Sequence, residues 1–193
     1  EQELQAMQAQ MRRVAARLNQ IEREGAPPQY DVVVKAVEAQ TIASCRRLVP
    51  DFSVMQDYRC EMYETLYGWL SDHQVDIREP ELAIYYNAEY VENDIDMELG
   101  TPIDPRTVKG VPVPDSMMVR DLPAVETVAS VIHRGDVWDI GQAMVALYSW
   151  ISSHGYVAAG PYRELHLFWR EHEIETERFR DIVIEMQMPI APR

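Results

Sequence analysis

Leu66-Tyr67-Gly68-Trp69-Leu70-Ser71-Asp72-His73 returns later in the chain as Leu147-Tyr148-Ser149-Trp150-Ile151-Ser152-Ser153-His154. Five of the eight positions are identical, and two of the four tryptophans occupy the same place in the octet. Matching blocks flank it in the same order. Thr41-Ile42-Ala43-Ser44 answers Thr127-Val128-Ala129-Ser130, and Glu81–Tyr86 answers Glu164–Trp169. Glu98–Ile103 answers Glu185–Ile190. Ordered blocks at nearly constant separation point to an internal duplication, with each unit reading strand, helix, strand, strand.

The octets read as helices. In the second, Ile140, Ala143, Met144, Leu147 and Ile151 form one face of a 3.6-residue period. In the first, a helix is expected from about Tyr58 to His73, with Asp57 as N-cap. His73 and His154 close their helices, where a cationic ring suits the dipole. Around the helices the chain alternates: residues 30–49, Leu82–Tyr86, Ile95–Leu99, a strand from Met117 broken near Pro123, Tyr162–Trp169 and Phe179–Met188. Four prolines within residues 100–116 mark a crossover between the halves. The expected architecture is α+β: two tandem βαββ repeats, about 30–105 and about 115–190, with helices on one face of an antiparallel sheet. A groove is expected where the halves meet.

Residues 1–25 differ in character. Leu4, Met7, Met11, Val14, Leu18 and Ile21 are spaced 3, 4, 3, 4, 3, a coiled-coil seam that calls for a partner helix. Gly25 and Pro27-Pro28 end it. The expectation is a homodimer through residues 4–21, followed by one domain over 26–193.

The formal charge of −14 argues against nucleic-acid binding by this chain alone and suits attraction of cations. Its apolar runs fall short of the roughly 18 residues that span a bilayer, so no membrane contact is expected. Cys45 and Cys60 form no metal or disulfide spacing. With no signal peptide at the start, they read as reduced cytoplasmic thiols. GxSxG, P-loop, HExxH and CxxC motifs are absent, so no metal, cofactor or catalytic group is expected.

One strand combines chemistry unusually. On Tyr162–Trp169, one face carries Tyr162, Glu164, His166 and Phe168, and the other Arg163, Leu165, Leu167 and Trp169. The second face reads as core, with Arg163 at a frayed end. The first sets a carboxylate among aromatic rings, a combination that attracts lipophilic cations. A solvent-exposed Glu164–His166 pair is the plainer reading of this strand. Tyr85 lies on the corresponding face of the first half, beside Glu81 and Ala83. Trp138, at a strand-to-helix junction, reads as a pocket wall or a core plug. Glu98 and Glu185 read as structural charges on edge strands.

A heptad helix, a Gly-Pro linker and a duplicated βαββ domain resemble the C-terminal half of MerR-type transcription regulators. The domain is similar to the GyrI-like effector-binding fold and to the related SOUL-type haem-binding fold. The resemblance rests on His133-Arg134-Gly135, Gly155-Tyr156, Gly160-Pro161 followed by Glu164, and the closing Glu185–Ile190. It implies a drug- or effector-sensing domain whose leading helix pairs antiparallel with a second copy. A winged helix-turn-helix module, which this sequence does not contain, would contact DNA. The family's buried glutamate maps onto Glu164. His166 and Val137 stand where relatives often carry Tyr. The ligand-binding set expected is Glu164, His166, Phe168, Tyr162, Trp138 and Tyr85. The alternatives in other classes are a stand-alone GyrI-like hydrolase or sequestering protein for reactive natural products, with Glu164 as base and His166 as its partner, and haem binding through His166.

Overall fold

The computed structural model describes residues 30–168 and 182–193, with the side chain of Phe168 also outside the description. The heptad seam of residues 4–21, Trp169 and Phe179 therefore lie outside the described residues. Among the described residues, nine strands form one sheet, and two long helices pack on it.

The first half runs β1 (Val33–Val37), β2 (Gln40–Asp51), α1 (Met55–Asp72), β3 (Glu81–Tyr85) and β4 (Asn93–Pro102). The second runs β5 (Met118–Leu122), β6 (Val125–Gly135), a 3-10 turn (Val137–Asp139), α2 (Ile140–Ser153), β7 (Tyr156–Ala158), β8 (Tyr162–Phe168) and β9 (Ile182–Pro192). The strand order is β1-β6-β9-β8-β3-β4-β2-β5, with β7 added beside β9. Every pairing is antiparallel. One expected single strand is split, and one expected break turns out to be a change of partner. Residues 30–49 break between β1 and β2, and each piece pairs elsewhere: β2 with β4, β1 with β6 of the other half. The break at Pro123 does the same, sending β5 to β2 and β6 to β9. The first half is thus ββαββ and the second ββαβββ, and the leading strand of each is exchanged.

Helix α1 begins at Met55, earlier than expected, and Val54 precedes it with no side-chain cap. Asp57 is instead an acidic residue in the first turn, where it suits the dipole. Both octets end alike. The ring Nδ1 of His73 lies 2.9 Å from the Trp69 carbonyl oxygen, and that of His154 lies 2.9 Å from the Trp150 carbonyl. The His154 ring stacks on Trp150, while the His73 ring is tilted by 35° against Trp69. Gly155, at φ 76°, follows α2 in the left-handed conformation that glycine adopts without strain.

The helices cover one sheet face. Met62, Tyr63, Leu66, Trp69 and Leu70 of α1 pack on Ala43, Cys45, Val49, Ile95, Met97 and Leu99. Ala143, Leu147 and Ile151 of α2 pack on Ala129, Val131, Ile184, Met186 and Met188. Burial of each Val, Leu, Ile or Met side chain among them contributes about 1.5–3 kcal/mol. Tyr85 packs against both clusters, so it sits where they meet. On the opposite face Ile42, Leu82, Ile84 and Leu122 form a smaller buried cluster.

Candidate functional site

Helix α1 packs over β2 and β4, and α2 over β6, β7 and β9. The two central strands, β3 and β8, lie between them. Their register sets Tyr85 opposite Tyr162, Ala83 opposite Glu164, and Glu81 opposite His166. All six side chains share the helix face.

This reverses the expected sidedness of β8. Glu164 is only 7% exposed, and Tyr162 and His166 are buried with it. Leu167, expected in the core, is 43% exposed. The reason lies in the neighbours. Glu164 pairs in register with Ala83 and Met186, both beneath the helices, which places the alternate residues on the far side. A solvent-exposed Glu164–His166 pair is thereby ruled out.

Glu164 is closely held. The Tyr162 hydroxyl donates to Oε1 at 2.9 Å, and the Tyr85 hydroxyl donates to Oε2 at 3.4 Å. His166 Nε2 lies 4.0 Å from Oε2. The rings of Tyr85 and Tyr162 sit 5.7 Å apart at 32°. Burial pushes the Glu164 carboxyl up, but His166, the Arg59 guanidinium and the Tyr162 hydroxyl outweigh it and hold the acid below its ordinary value. The buried Tyr162 phenol is driven the other way, by burial and then by the Glu164 charge.

Three participants come from residues that sequence reading did not select. Arg59 of α1 donates to the Tyr85 hydroxyl at 3.2 Å and lies 3.7 Å from Met97 Sδ. Tyr67 of α1 donates to Glu81, the second buried carboxylate of the floor. Tyr148 of α2 acts electrostatically on the Tyr162 hydroxyl. A signal for the last two existed: the octet alignment sets Tyr67 against Tyr148, and the strand alignment sets Glu81 against Glu164. Arg59 has no such signal.

The other expected residues fare differently. Trp138 is 47% exposed on the 3-10 turn, whose Asp136 side chain accepts from the Trp138 backbone N–H at 3.0 Å. It is no core plug, and no described contact joins it to Glu164. Phe168 ends β8. The His166 side chain is fully enclosed, which leaves no open ring face for a haem iron. No group of three or more metal-ligating side chains occurs among the described residues.

Glu98 and Glu185 are not edge charges. They lie on interior strands β4 and β9, on the face away from the helices. Ser44 Oγ donates to Glu98 at 2.6 Å, and Ser130 Oγ donates to Glu185 at 2.5 Å. Arg120 pairs with Glu98 at 2.7 Å, and Lys35 with Glu185 at 2.5 Å. The exchanged leading strands β5 and β1 supply the two cations.

No protein family and no curated protein matches this sequence. Solved structures do match. The EcmrR C-terminal domain superposes with a TM-score of 0.71 at 20% identity, over 86% of this chain and 99% of that one. EcmrR in its DNA complex gives 0.73 at 20% identity, over 99% of this chain and 69% of that one. A hydrolase from Listeria innocua gives 0.54 at 8% identity, over 90% and 97%. At these identities the likeness is one of fold. The antiparallel sheet carrying two helices is consistent with the GyrI-like architecture, and it is the fold of the EcmrR C-terminal domain.

Proposed function

We propose that this domain senses a small-molecule effector for a MerR-type transcription regulator. The effector is a lipophilic aromatic cation that binds between the two helices, over β3 and β8. The observation that carries the reading is Glu164: a buried carboxylate held by two tyrosine hydroxyls, whose rings sit 5.7 Å apart. Such a group offers charge and π-surface together to a desolvated cation. The fold likeness to the EcmrR C-terminal domain supports the regulator setting. Dimerisation through residues 4–21 and contact with DNA through a separate module complete the proposal. So do a duplicated ancestor for the two halves and a cytoplasmic location. The net charge of −14 suits a domain that leaves DNA to another part.

Hydrolysis with Glu164 as base is the second reading, raised by the His166 ring 4.0 Å away and by the fold shared with a hydrolase. The electrostatics favour binding. A general base works best with a pKa near the working pH, and Glu164 is held below its ordinary value.

Calorimetry with ethidium, an aromatic cation, tests the proposal against Glu164→Gln. Loss of one charge-assisted contact is expected to weaken binding about tenfold or more. Equal affinity in wild type and variant removes Glu164 from the role. Turnover of an electrophilic ester that depends on Glu164 would replace sensing by hydrolysis.

A further inference from the structure

We propose that the sheet face opposite the helices holds a second ligand site, for a small monocarboxylate, centred on Arg163. This site is independent of the effector reading above, because consecutive residues of β8 point to opposite faces.

Arg163 lies opposite Ile84 on β3 and Gln187 on β9. The row continues from Ile84 to Glu98 on β4 and Arg46 on β2. Three cations on this face have their own carboxylates. Arg46 forks onto Asp96 at 2.7 and 2.6 Å, while its guanidinium lies 3.7 Å over the Tyr86 ring. Arg120 grips Glu98 at 3.0 and 2.7 Å, and Lys35 meets Glu185 at 2.5 Å. Neighbouring polar groups are also engaged. The Gln187 amide donates to Glu185 at 2.9 Å, and the Tyr86 hydroxyl donates to Glu98 while accepting from Arg120 at 2.7 Å.

Arg163 is the exception. It is 8% exposed, its Nε is enclosed with no hydrogen-bond acceptor, and it meets no carboxylate among the described residues. A buried guanidinium without a counter-charge is unfavourable, and burial accordingly pulls its pKa below the ordinary value. An anion removes that cost.

Charge and shape narrow the class. Arg46, Arg120 and Lys35 are matched one to one by Asp96, Glu98 and Glu185, which leaves Arg163 as the unmatched member of this group. One negative charge matches it, whereas a dianion is repelled by Glu98. A guanidinium fork fits a planar carboxylate through two parallel hydrogen bonds.

The test is NMR of the full chain, following the arginine Nε–Hε signals during titration with hexanoate, methyl hexanoate and sulfate. The Arg163 signal, assigned by through-bond experiments and by its absence in Arg163→Gln, is expected to shift saturably with hexanoate. The same signal should respond at least about tenfold more weakly to the ester and to sulfate, the value of one charge-assisted contact. An unmoved Arg163 signal, or an equal response to the ester, overturns the proposal. Should Arg163→Gln fail to fold, the three wild-type titrations still decide it.

Discussion

Tyr162 and Glu164, two residues apart on one face of β8, are joined by a 2.9 Å hydrogen bond in which the phenol donates to the carboxylate. The shared face of a strand makes the contact possible, and burial makes it matter. Tyr162→Phe removes the donor and leaves a buried carboxylate oxygen short of a partner. A loss of about 1–3 kcal/mol in folding stability is expected, measured by urea denaturation. A change below a few tenths would mean that water replaces the hydroxyl.

The twin octets each bury one leucine completely, Leu66 under α1 and Leu147 under α2. Leu66→Ala and Leu147→Ala are each expected to cost about 2–5 kcal/mol, because the enclosing sheet cannot collapse into the space. Thermal or denaturant unfolding of the two variants checks it.

Glu98 is wholly buried, and burial is the largest influence on it, pushing its carboxyl up. Hydrogen bonds from Arg120, Ser44 and Tyr86 outweigh that and leave it below the ordinary value. A group depressed in the folded state adds stability above its unfolded pKa of about 4.3. That contribution is lost as pH falls through the folded value. Glu98→Gln should therefore destabilise at neutral pH and flatten the acid limb of stability, followed as the urea midpoint over roughly pH 6 to 3.

Gly100 of β4 has no room for a side chain: a Cβ there would stand 2.9 Å from the Ala43 carbonyl oxygen and 2.9 Å from Ser44 Cβ. Both neighbours belong to the paired strand β2, so the clash falls on the sheet itself. Gly100→Ala is expected to cost about 1–3 kcal/mol, whereas the same change at Gly68 meets open space.

The two cysteines differ in reach. Cys60 is exposed, while Cys45 is buried in the core under α1. Burial, with Glu98 adding to it and Arg47 opposing, lifts the Cys45 thiol to about 11. A thiol reagent at neutral pH should label one cysteine rapidly and the other only on unfolding.

Much of the arrangement was legible in the primary structure. The octets announced both helices and their buried faces, since a 3.6-residue apolar period survives in local order. Alternation on Tyr162–Trp169 brought Glu164 and Tyr162 together, but it assigned the wrong side to the core. Arg163 and Glu164 are both charged, and only their neighbours Ala83, Met186, Ile84 and Gln187 decide which faces the helices. The strand exchange was invisible for the same reason. Whether β1 joins β2 or β6 depends on partners about a hundred residues away in sequence. Arg59 reached the site from a helix whose pattern marks it as an ordinary charged position.

Because β1 closes against β6 and β5 against β2, neither moiety of the chain completes its own sheet. Cleavage within the proline-rich connector at 105–116 would yield two pieces that each lack an outer border and carry the other's. Such pieces are expected to be unable to stand alone yet able to reassociate when mixed, in the manner of interlocked hooks. Cooperative unfolding of the whole follows, with slow folding set by contacts so distant along the polypeptide.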